Sequence, residues 1–301
     1  MSLLVVGSVA LDDLETPSGK AENVVGGAAT YFAYAASFFT PVRMVAAVGE
    51  DFPQEVLDDL AARGVDVAGV EKRPGTTLRW KGRYHEQLNV RDTLHLDLGV
   101  FADFQPNIPE YYRDSDYAFL ANIDPALQAR VLDQLARPKL VGCDTMNHWI
   151  QGSRDVLDAL LRRVDMLVVN DEEAQMLTGD RNMVKAAAKI LDSGPKTVLI
   201  KRGEYGVIEF SGNSVFAVPA YPLEEVCDPT GAGDCFAAGV MGELARSGDV
   251  SAQGLRRAIV YGSVMGSFVV EDFGPKRLLG LTREMIEQRY QLFVSLTDIP
   301  R

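Results

Sequence analysis

The sequence predicts an α/β fold in which a mostly parallel sheet lies between two layers of helices. Three observations lead to this expectation: short apolar runs alternate with helical patterns, long helical patterns follow near the C-terminus, and no internal repeat or low-complexity linker divides the chain. Strands that alternate with helices are typical of βαβ crossovers, which cover both faces of a parallel sheet. We therefore expect a single domain over residues 1–301, with a small sheet projecting from its main body.

The predicted elements follow from apolar patterns along the chain. Six short apolar runs have the length of buried strands and cover residues 3–7, 42–48, 117–123, 140–143, 166–169 and 197–201. Helical patterns between them cover residues 30–39, 53–63, 125–135, 155–163 and 182–191, and longer ones cover 232–246, 251–270 and 282–295. Residues 24–42 carry no charge, but Gly26, Gly27 and Pro41 interrupt them, so we predict a buried helix there rather than a membrane span.

Two further segments, residues 77–84 and 90–98, alternate apolar and polar side chains with the period of two that a strand requires. The apolar side chains are expected to share one face of each strand: Leu78, Trp80 and Tyr84 in the first, and Leu94, Leu96 and Leu98 in the second. Residues 11–25 and 74–100 together are predicted to form the small inserted sheet. Two interpretations stay open, an ordinary surface hairpin and a lid over a ligand, since long insertions in compact domains are often functional.

Composition and charge exclude several classes of protein. The chain carries 30 Lys and Arg against 42 Asp and Glu, a net charge of −12, which argues against a nucleic-acid partner because such proteins usually present a basic face. The three cysteines have no CxxC or zinc-ligand spacing, which favours reduced thiols. The apolar N-terminus has no basic region before it, so we interpret it as a first strand and expect a cytoplasmic protein without a membrane partner.

The strongest local signal is Asp-Pro-Thr-Gly-Ala-Gly-Asp at residues 228–234, where a glycine-rich turn opens a predicted helix. The first turn of a helix leaves N–H groups unpaired, and the helix dipole reinforces their attraction for an anion such as a phosphoryl group. The candidate donors are the N–H groups of Gly231, Ala232 and Gly233. Asp234 is suited to accept a proton beside them. On this pattern alone, Asp234 could equally serve to stabilise the helix N-terminus.

This segment resembles the closing signature of the ribokinase-like, or PfkB-type, carbohydrate kinases, and further motifs of that family follow in the same order along the whole chain. Asp12, after the first strand, looks like the family's substrate-binding aspartate. Gly26 and Gly27 look like its glycine pair, where the backbone comes close to the sugar. The resemblance implies a ribokinase-like three-layer α/β/α fold with a small β-sheet lid. It also implies transfer of the ATP γ-phosphoryl group to an alcohol, with Asp234 as the general base.

The same resemblance implies a nucleotide and metal site. Asn170 and Glu173 match the family's Asn-x-x-Glu, which is associated with Mg²⁺ and the nucleotide phosphates and would act here through water. Three residues of the segment KRGEYGV match its nucleotide-binding loop: Lys201, Gly203 and Gly206. Asp228 and Thr230 occupy positions where several relatives bind a monovalent cation, so K⁺ is a further candidate.

The substrate is less well defined by the sequence. The carboxylate of Asp12 can accept hydrogen bonds from two adjacent hydroxyls, as in a ribose or hexose diol. Tyr31 and Ala10 stand where ribose-phosphorylating relatives have Asn, which speaks against free ribose. Tyr31 and Trp80 could stack on a nucleobase or could simply pack in the core and in the small sheet. A ribonucleoside phosphorylated on a primary hydroxyl is slightly favoured over a free ketose or aldose.

Two proteins of other classes remain as alternatives. One is a non-catalytic sensor of nucleotide or sugar, against which the intact Gly-Ala-Gly-Asp with Asn170 and Glu173 argues. The other is a dinucleotide-dependent oxidoreductase, against which the lack of GxGxxG after the first strand argues. The apolar face carrying Leu78, Trp80 and Tyr84 would permit a homodimer through the lid as well as a simple cover.

Overall fold

A computed structural model describes residues 1–212 and 214–297. The strands in this part of the chain are β1 (Leu3–Val6), β2 (Ala10–Thr16), β3 (Gly19–Gly26), β4 (Val42–Val48), β5 (Val65–Lys72), β6 (Leu78–Tyr84), β7 (Arg91–Asp97), β8 (Tyr117–Leu120), β9 (Leu140–Asp144), β10 (Met166–Asn170), β11 (Thr197–Lys201), β12 (Val207–Ser211) and β13 (Ser214–Val218). The helices are α1 (Ala28–Ala36), α2 (Gln54–Ala62), α3 (Pro125–Gln134), α4 (Asn147–Gly152), α5 (Arg154–Leu161), α6 (Asp171–Thr178), α7 (Met183–Ser193), α8 (Ala232–Ser247), α9 (Ala252–Val269), α10 (Lys276–Leu279) and α11 (Arg283–Leu296).

The main sheet has the strand order β13-β12-β11-β10-β9-β8-β1-β4-β5 over the described ranges. Neighbouring strands from β11 to β5 are parallel, whereas β12 and β13 extend the sheet in antiparallel fashion. The carboxyl ends of the parallel strands therefore meet at one edge, where ligands bind in open α/β sheets. This arrangement confirms the predicted α/β fold.

The central strand β1 shows why its sequence is an uninterrupted apolar run. Leu3 and Val5 contact the core formed with α1, α8 and α9, whereas Leu4 and Val6 contact the core formed with α3, α5, α6 and α7. Successive side chains of a strand point to opposite faces, so a strand covered by helices on both sides needs apolar residues at every position.

Four strands form the small sheet, in the order β3-β2-β6-β7. The predicted strands at residues 77–84 and 90–98 correspond to β6 and β7. The register runs from Lys81–His95 to Gly82–Thr93 and skips Leu94. The regular alternation predicted for residues 90–98 is therefore wrong at Leu94. Leu96 pairs with Trp80 of β6, whereas Leu94 is passed over in the register.

The prediction did not include β5, β12, β13, α4, α6 or α10. These three strands lie at or near the edges of the main sheet and are partly exposed, so they lack the uninterrupted apolar runs of the central strands. The buried helix predicted within residues 24–42 is confirmed as α1, whose side chains are all buried. Over residues 1–212 and 214–297, no helix combines the length and apolarity needed to cross a bilayer.

Candidate active site

The signature loop, residues 228–231, leads directly into α8 at the carboxyl edge of the main sheet. Gly231 is the N-cap of α8 and has φ +78°, in the left-handed region that favours glycine. A Cβ atom built on Gly231 would also overlap the ring of Tyr31. Backbone conformation and close packing together therefore require glycine at this turn.

The backbone donors at the start of α8 have different partners. The N–H of Ala232 donates to the carbonyl oxygen of Pro229 at 3.2 Å and closes the turn. The N–H groups of Gly231 and Gly233 have no acceptor among the residues that the structure describes. Of the three predicted phosphoryl-binding donors, Ala232 is thus engaged in the turn, and the other two are available where the helix dipole favours an anion.

A lysine lies against this helix N-terminus. Lys201 ends β11, and its Nζ is 2.6 Å from the position that a Cβ atom on Gly233 would occupy. The missing side chain of Gly233 thus leaves the space that the ammonium group fills. A lysine charge and exposed helix N–H groups both attract phosphate, so their coincidence here forms an anion site.

Asp234 lies in the first turn of α8 and is partly exposed. Desolvation by the surrounding protein raises the pKa of Asp234 above its usual value, while the positive charges of Lys201 and Arg91 act in the opposite direction. A carboxylate in a cleft with a raised pKa suits a general base, because its proton affinity lies nearer to neutral pH.

Asn170 and Glu173 form a capping box where β10 passes into α6. The backbone N–H of Asn170 donates to Glu173 Oε2 at 2.8 Å, and the N–H of Glu173 donates to Asn170 Oδ1 at 2.7 Å. Glu173 is only 6% exposed, and burial raises its pKa, with the charge of Lys201 opposing. Glu173 is therefore not the surface charge that a first-turn glutamate usually is. Its second oxygen accepts no hydrogen bond from the described residues.

Asp144, at the end of β9, extends this acidic group. It is 6% exposed, and its Oδ1 is buried without a hydrogen-bond partner in the described part of the chain. Burial, followed by the negative charge of Asp234, raises the pKa of Asp144 well above its usual range. Thr145 Oγ1 and Asn147 Oδ1 nearby are likewise buried without a partner there. Buried polar atoms are normally paired, so these atoms indicate a polar ligand or water at this edge.

These residues fit a magnesium–nucleotide complex. Gly233 provides the space beside Lys201 for an anion, and Glu173 and Asp144 present free carboxylate oxygens close by. Within the described residues, no three His, Cys, Asp or Glu side chains gather as metal ligands. Mg²⁺ is usually held by one or two carboxylates together with substrate phosphates and water, and this donor set matches that mode.

Asp12 and the glycine pair form the opposite side of the site. Asp12, on β2, is 3% exposed, and burial and the charges of Asp228 and Asp234 raise its pKa to about 8. A Cβ atom on Gly26 would overlap the Asp12 carboxyl group. Gly27, with φ +89°, would place a Cβ atom 2.5 Å from the carbonyl oxygen of Ser8. The absence of side chains at Gly26 and Gly27 therefore leaves room for the Asp12 carboxyl group and for the backbone turn into α1.

The two aromatic candidates have different surroundings. Tyr31 is 1% exposed, with its ring against Gly231 and its hydroxyl without a partner among the described residues. Its ring therefore supports the signature loop and offers no open face for stacking in this structure. Trp80 is partly exposed and lies opposite Asp12 in the register of β2 and β6. Its ring covers Gly82, and its Nε1 donates to Thr93 Oγ1 at 3.1 Å.

The small sheet contacts the main body close to the signature loop. Thr230 Oγ1 donates to the hydroxyl oxygen of Tyr84, on β6, at 3.0 Å. Thr16 Oγ1, on β2, donates to the carbonyl oxygen of Cys227 at 2.9 Å, and Ser18 Oγ donates to that of Val226 at 3.1 Å. The face of the small sheet that carries Tyr84 therefore lies over the start of α8.

Asp228 fixes the conformation of the signature loop through hydrogen bonds. It is fully buried, and its two carboxylate oxygens accept hydrogen bonds from the N–H groups of Thr230 at 2.9 Å and Gly274 at 3.0 Å. Burial raises the pKa of Asp228, and these two donors oppose that shift. The carboxylate thus fixes the loop, and further binding of a monovalent cation would use its remaining lone pairs.

The predicted nucleotide loop follows Lys201. Gly203 and Gly206 both have positive φ, +53° and +86°. A Cβ atom on Gly206 would overlap the backbone of Val218 in β13, so this glycine is required by the sheet. A Cβ atom on Gly203 would overlap Asn89, which belongs to the turn between β6 and β7. The turn of the small sheet therefore touches the nucleotide loop.

The structure brings one group of predicted residues together and leaves others outside it. The residues close enough to influence each other's protonation are Asp12, Asp228, Asp234, Glu173 and Lys201. Gly206 lies outside that group, whereas Tyr31 lies beside it with its ring against Gly231, and burial and the charges of Asp228 and Asp12 raise the pKa of Tyr31. Asp144 was not among the predicted site residues, although its place at the carboxyl end of β9, beside the strand that ends at Asn170, marks the same sheet edge. Neither Arg91 nor Asn89 could be identified from the sequence as a site residue, because polar residues are common in exposed hairpins.

Comparison with known proteins adds two findings on sequence. A family model described as pfkB family carbohydrate kinase matches residues 3–279. A cytidine kinase of Thermococcus kodakarensis is 36% identical over 253 residues, which cover 82% of this chain and 89% of that protein. Both likenesses extend over most of the chain, and the residues matched by the family model include the predicted motifs from Asp12 to Asp234.

Solved structures show the same architecture. A nucleoside kinase of Burkholderia thailandensis, solved in complex with inosine, superposes with a TM-score of 0.77 at 23% identity and covers 97% of this chain and 99% of its own. A protein of Escherichia coli described as Ribokinase II, solved with ATP and Mg²⁺, superposes with a TM-score of 0.78 at 22% identity. The superposition covers 98% of this chain and 99% of that protein. At these identities the likeness shows a shared fold, and it confirms the predicted ribokinase-like architecture.

Proposed function

Since the chain belongs to the pfkB family of carbohydrate kinases and is a phosphotransferase with an alcohol acceptor, we propose that it transfers the γ-phosphoryl group of ATP to a primary hydroxyl of a ribonucleoside. One observation carries the choice of acceptor. Asp12, whose carboxyl group suits a ribose diol, lies opposite Trp80, whose ring suits a base. The likeness to a cytidine kinase at 36% identity supports the same class.

The transfer step assigns a role to each group around α8. The substrate hydroxyl oxygen attacks the γ-phosphorus, the bond from that phosphorus to the ADP oxygen breaks, and the hydroxyl proton passes to Asp234. The N–H groups of Gly231 and Gly233 and the ammonium of Lys201 stabilise the charge of the transferring group. These donors are already in place before the reaction, so no reorganisation is needed when the charge develops.

Mg²⁺ bound to the nucleotide would neutralise phosphate charge and fix the phosphate orientation. Glu173 and Asp144 would hold it through their unpartnered oxygens, directly or through water, and Asn170 would keep Glu173 in position through the capping box. Lys201 balances part of this negative charge, which lets several carboxylates remain close together.

Asp12 would bind the ribose hydroxyls. With a pKa of about 8, its carboxyl group is largely protonated at neutral pH and can both donate and accept a hydrogen bond. A diol that donates to the ionised form would favour that form, so substrate binding should lower the pKa of Asp12. The small sheet would act as the lid of this site, with Trp80 above the base.

Two finer features belong to the same proposal. K⁺ would bind near Asp228 and Thr230 and support the signature loop. Leu94, Leu96 and Leu98, in and just after β7, are 43% to 54% exposed, and exposed apolar side chains on the small sheet suit pairing with a second copy of the chain. Sedimentation measures the oligomeric state, and replacement of K⁺ by Na⁺ in the kinase assay measures the need for the cation.

The experiment that tests the function is ADP release with Mg-ATP across ribonucleosides, ribose and fructose, with and without K⁺. We expect turnover with at least one ribonucleoside and little with the free sugars. Turnover with a free sugar alone would overturn the nucleoside assignment. Binding of both ATP and nucleoside without any turnover would overturn the proposed reaction and favour a sensor.

A further inference from the structure

The hairpin of β6 and β7 reaches across the site to the nucleotide loop. Asn89, in the turn, donates through Nδ2 to Glu204 Oε2 at 2.6 Å and packs against Gly203. Beside the same turn, Tyr84, the last residue of β6, accepts a hydrogen bond from Thr230 of the signature loop. The turn end of the hairpin thus contacts both the nucleotide loop and the signature loop.

Arg91 is the first residue of β7 and lies directly opposite Tyr84 in the antiparallel register. Residues opposite each other in an antiparallel pair project from the same face of the sheet. Tyr84 projects toward Thr230, so Arg91 projects from the face that lies over the start of α8. The strand register therefore brings an arginine to the anion site of the main body.

Arg91 differs from the other arginines of the small sheet. Arg79 forms an ion pair with Asp51 at 3.0 Å, and Arg83 forms one with Glu15 at 2.8 Å. Arg91 is exposed and takes part in no ion pair or hydrogen bond with the described residues. Arg91 lies two residues after Asn89 and opposite Tyr84, which contact the nucleotide loop and the signature loop, and its positive charge opposes the raised pKa of Asp234. An arginine without an anionic partner, close to the acids of a phosphate site, is available for the phosphate.

We propose that Arg91 binds the terminal phosphate of the nucleotide, so that the β6–β7 hairpin supplies a second cation opposite Lys201. The proposal rests on the kinase function proposed above. A guanidinium group can hold two phosphate oxygens at once, and it stabilises the charge that spreads over them during transfer. Arg91 forms no covalent bond and takes no proton in the step.

The test compares Arg91→Ala and Arg91→Lys with Arg83→Ala, a control at an arginine paired with Glu15. We expect Arg91→Ala to lower kcat by about 10²- to 10³-fold, as the loss of one preorganised donor does, with a partial loss for Arg91→Lys. Arg83→Ala should retain nearly full kcat. Added guanidinium should restore part of the activity of Arg91→Ala, which a purely structural residue would not show.

Binding measurements separate this proposal from the proposed reaction. Calorimetry with a non-hydrolysable ATP analogue and with ADP should show weaker binding of the analogue by Arg91→Ala and similar binding of ADP. Equal analogue affinity for the parent protein and Arg91→Ala, or an unchanged kcat, would overturn the role of Arg91. If the parent protein transfers no phosphate to any hydroxyl, the proposed reaction fails, whereas the comparison of analogue with ADP still decides the phosphate contact.

Discussion

The two walls of the site are built in different ways. The main-body wall consists of the start of α8, Lys201 and the capping box, and its key residues are close neighbours in the sequence or lie at strand ends. The small-sheet wall consists of β2, β6 and β7, and it reaches the site through contacts between residues far apart, such as Tyr84 with Thr230. Local segments thus carry most residues of the proposed transfer step, whereas long-range packing positions Arg91 and the groups proposed to select the substrate.

The largest effect is expected in the main-body wall, from Asp234→Asn. Loss of the proton acceptor should lower kcat by about 10²- to 10⁴-fold, as removal of a general base does. The affinity for the proposed nucleoside should change little, because the proposed ribose contacts lie on Asp12. Steady-state kinetics check this, with Asp155→Asn in the first turn of α5 as a control at an exposed acid. A variant that keeps a tenth of the parent kcat would contradict the assignment.

Gly231→Ala tests how tightly the main-body wall packs against the Tyr31 ring of α1. The substitution puts a Cβ at a positive φ and also displaces the Tyr31 ring. Gly179→Ala is matched in backbone conformation, with φ +70° and nothing within 4 Å, so it measures the backbone cost alone, about 1–2 kcal/mol. Gly231→Ala should cost about 1–3 kcal/mol more in unfolding free energy because of overpacking. If urea denaturation gave the same loss of unfolding free energy for Gly231→Ala and Gly179→Ala, the Tyr31 ring would move aside without cost, and the expected overpacking would be contradicted.

The pH dependence of stability tests the burial of Asp12 in the small-sheet wall. Its pKa rises from 3.8 to about 8 on folding, so between these values the folded state holds a proton that the unfolded state has lost. The free energy of unfolding should therefore fall as pH rises from about 4 to 8. Asp12→Asn should reduce this slope by up to about 1.4 kcal/mol per pH unit, the value for one proton.

Denaturant titrations across that pH range measure the slope. Asp155→Asn, at an exposed carboxyl group in the first turn of α5 and far from Asp12 in the sequence, is the control for the substitution itself. Parallel slopes for the parent protein and Asp12→Asn would contradict the raised pKa.

The smallest effect is expected from Tyr84→Phe, which removes the hydrogen bond between Tyr84 and Thr230 and keeps the ring. A single hydrogen bond contributes about 0.5–1.5 kcal/mol, so the KM of the acceptor should rise a few-fold with little change in kcat. Tyr111→Phe, at a tyrosine that is 54% exposed elsewhere, is the control. A kcat loss as large as that of Asp234→Asn would show that Tyr84 itself takes part in the transfer.

The same contrast between local segments and long-range packing explains which parts of the fold and of the site the sequence predicts. The central strands were predictable because burial on both faces leaves continuous apolar runs, and residues 228–234 were predictable because a turn and a helix start occupy adjacent positions. The strands β5, β12 and β13 were missed because strands at or near the edge of a sheet mix apolar and polar residues. The skipped Leu94 and the approach of Arg91 to Asp234 depend on register and on the packing of the small sheet, which local patterns do not encode.

The contact of Asn89 with Glu204 has a thermodynamic consequence for the order of binding. Because this contact joins the small sheet to the nucleotide loop, movement of the hairpin by one ligand changes the site of the other. Linkage then requires reciprocity: whatever factor the nucleoside adds to or removes from nucleotide affinity, the nucleotide imposes the same factor on the nucleoside. Two substrates that meet at a single phosphorus atom would thus also share one coupling free energy.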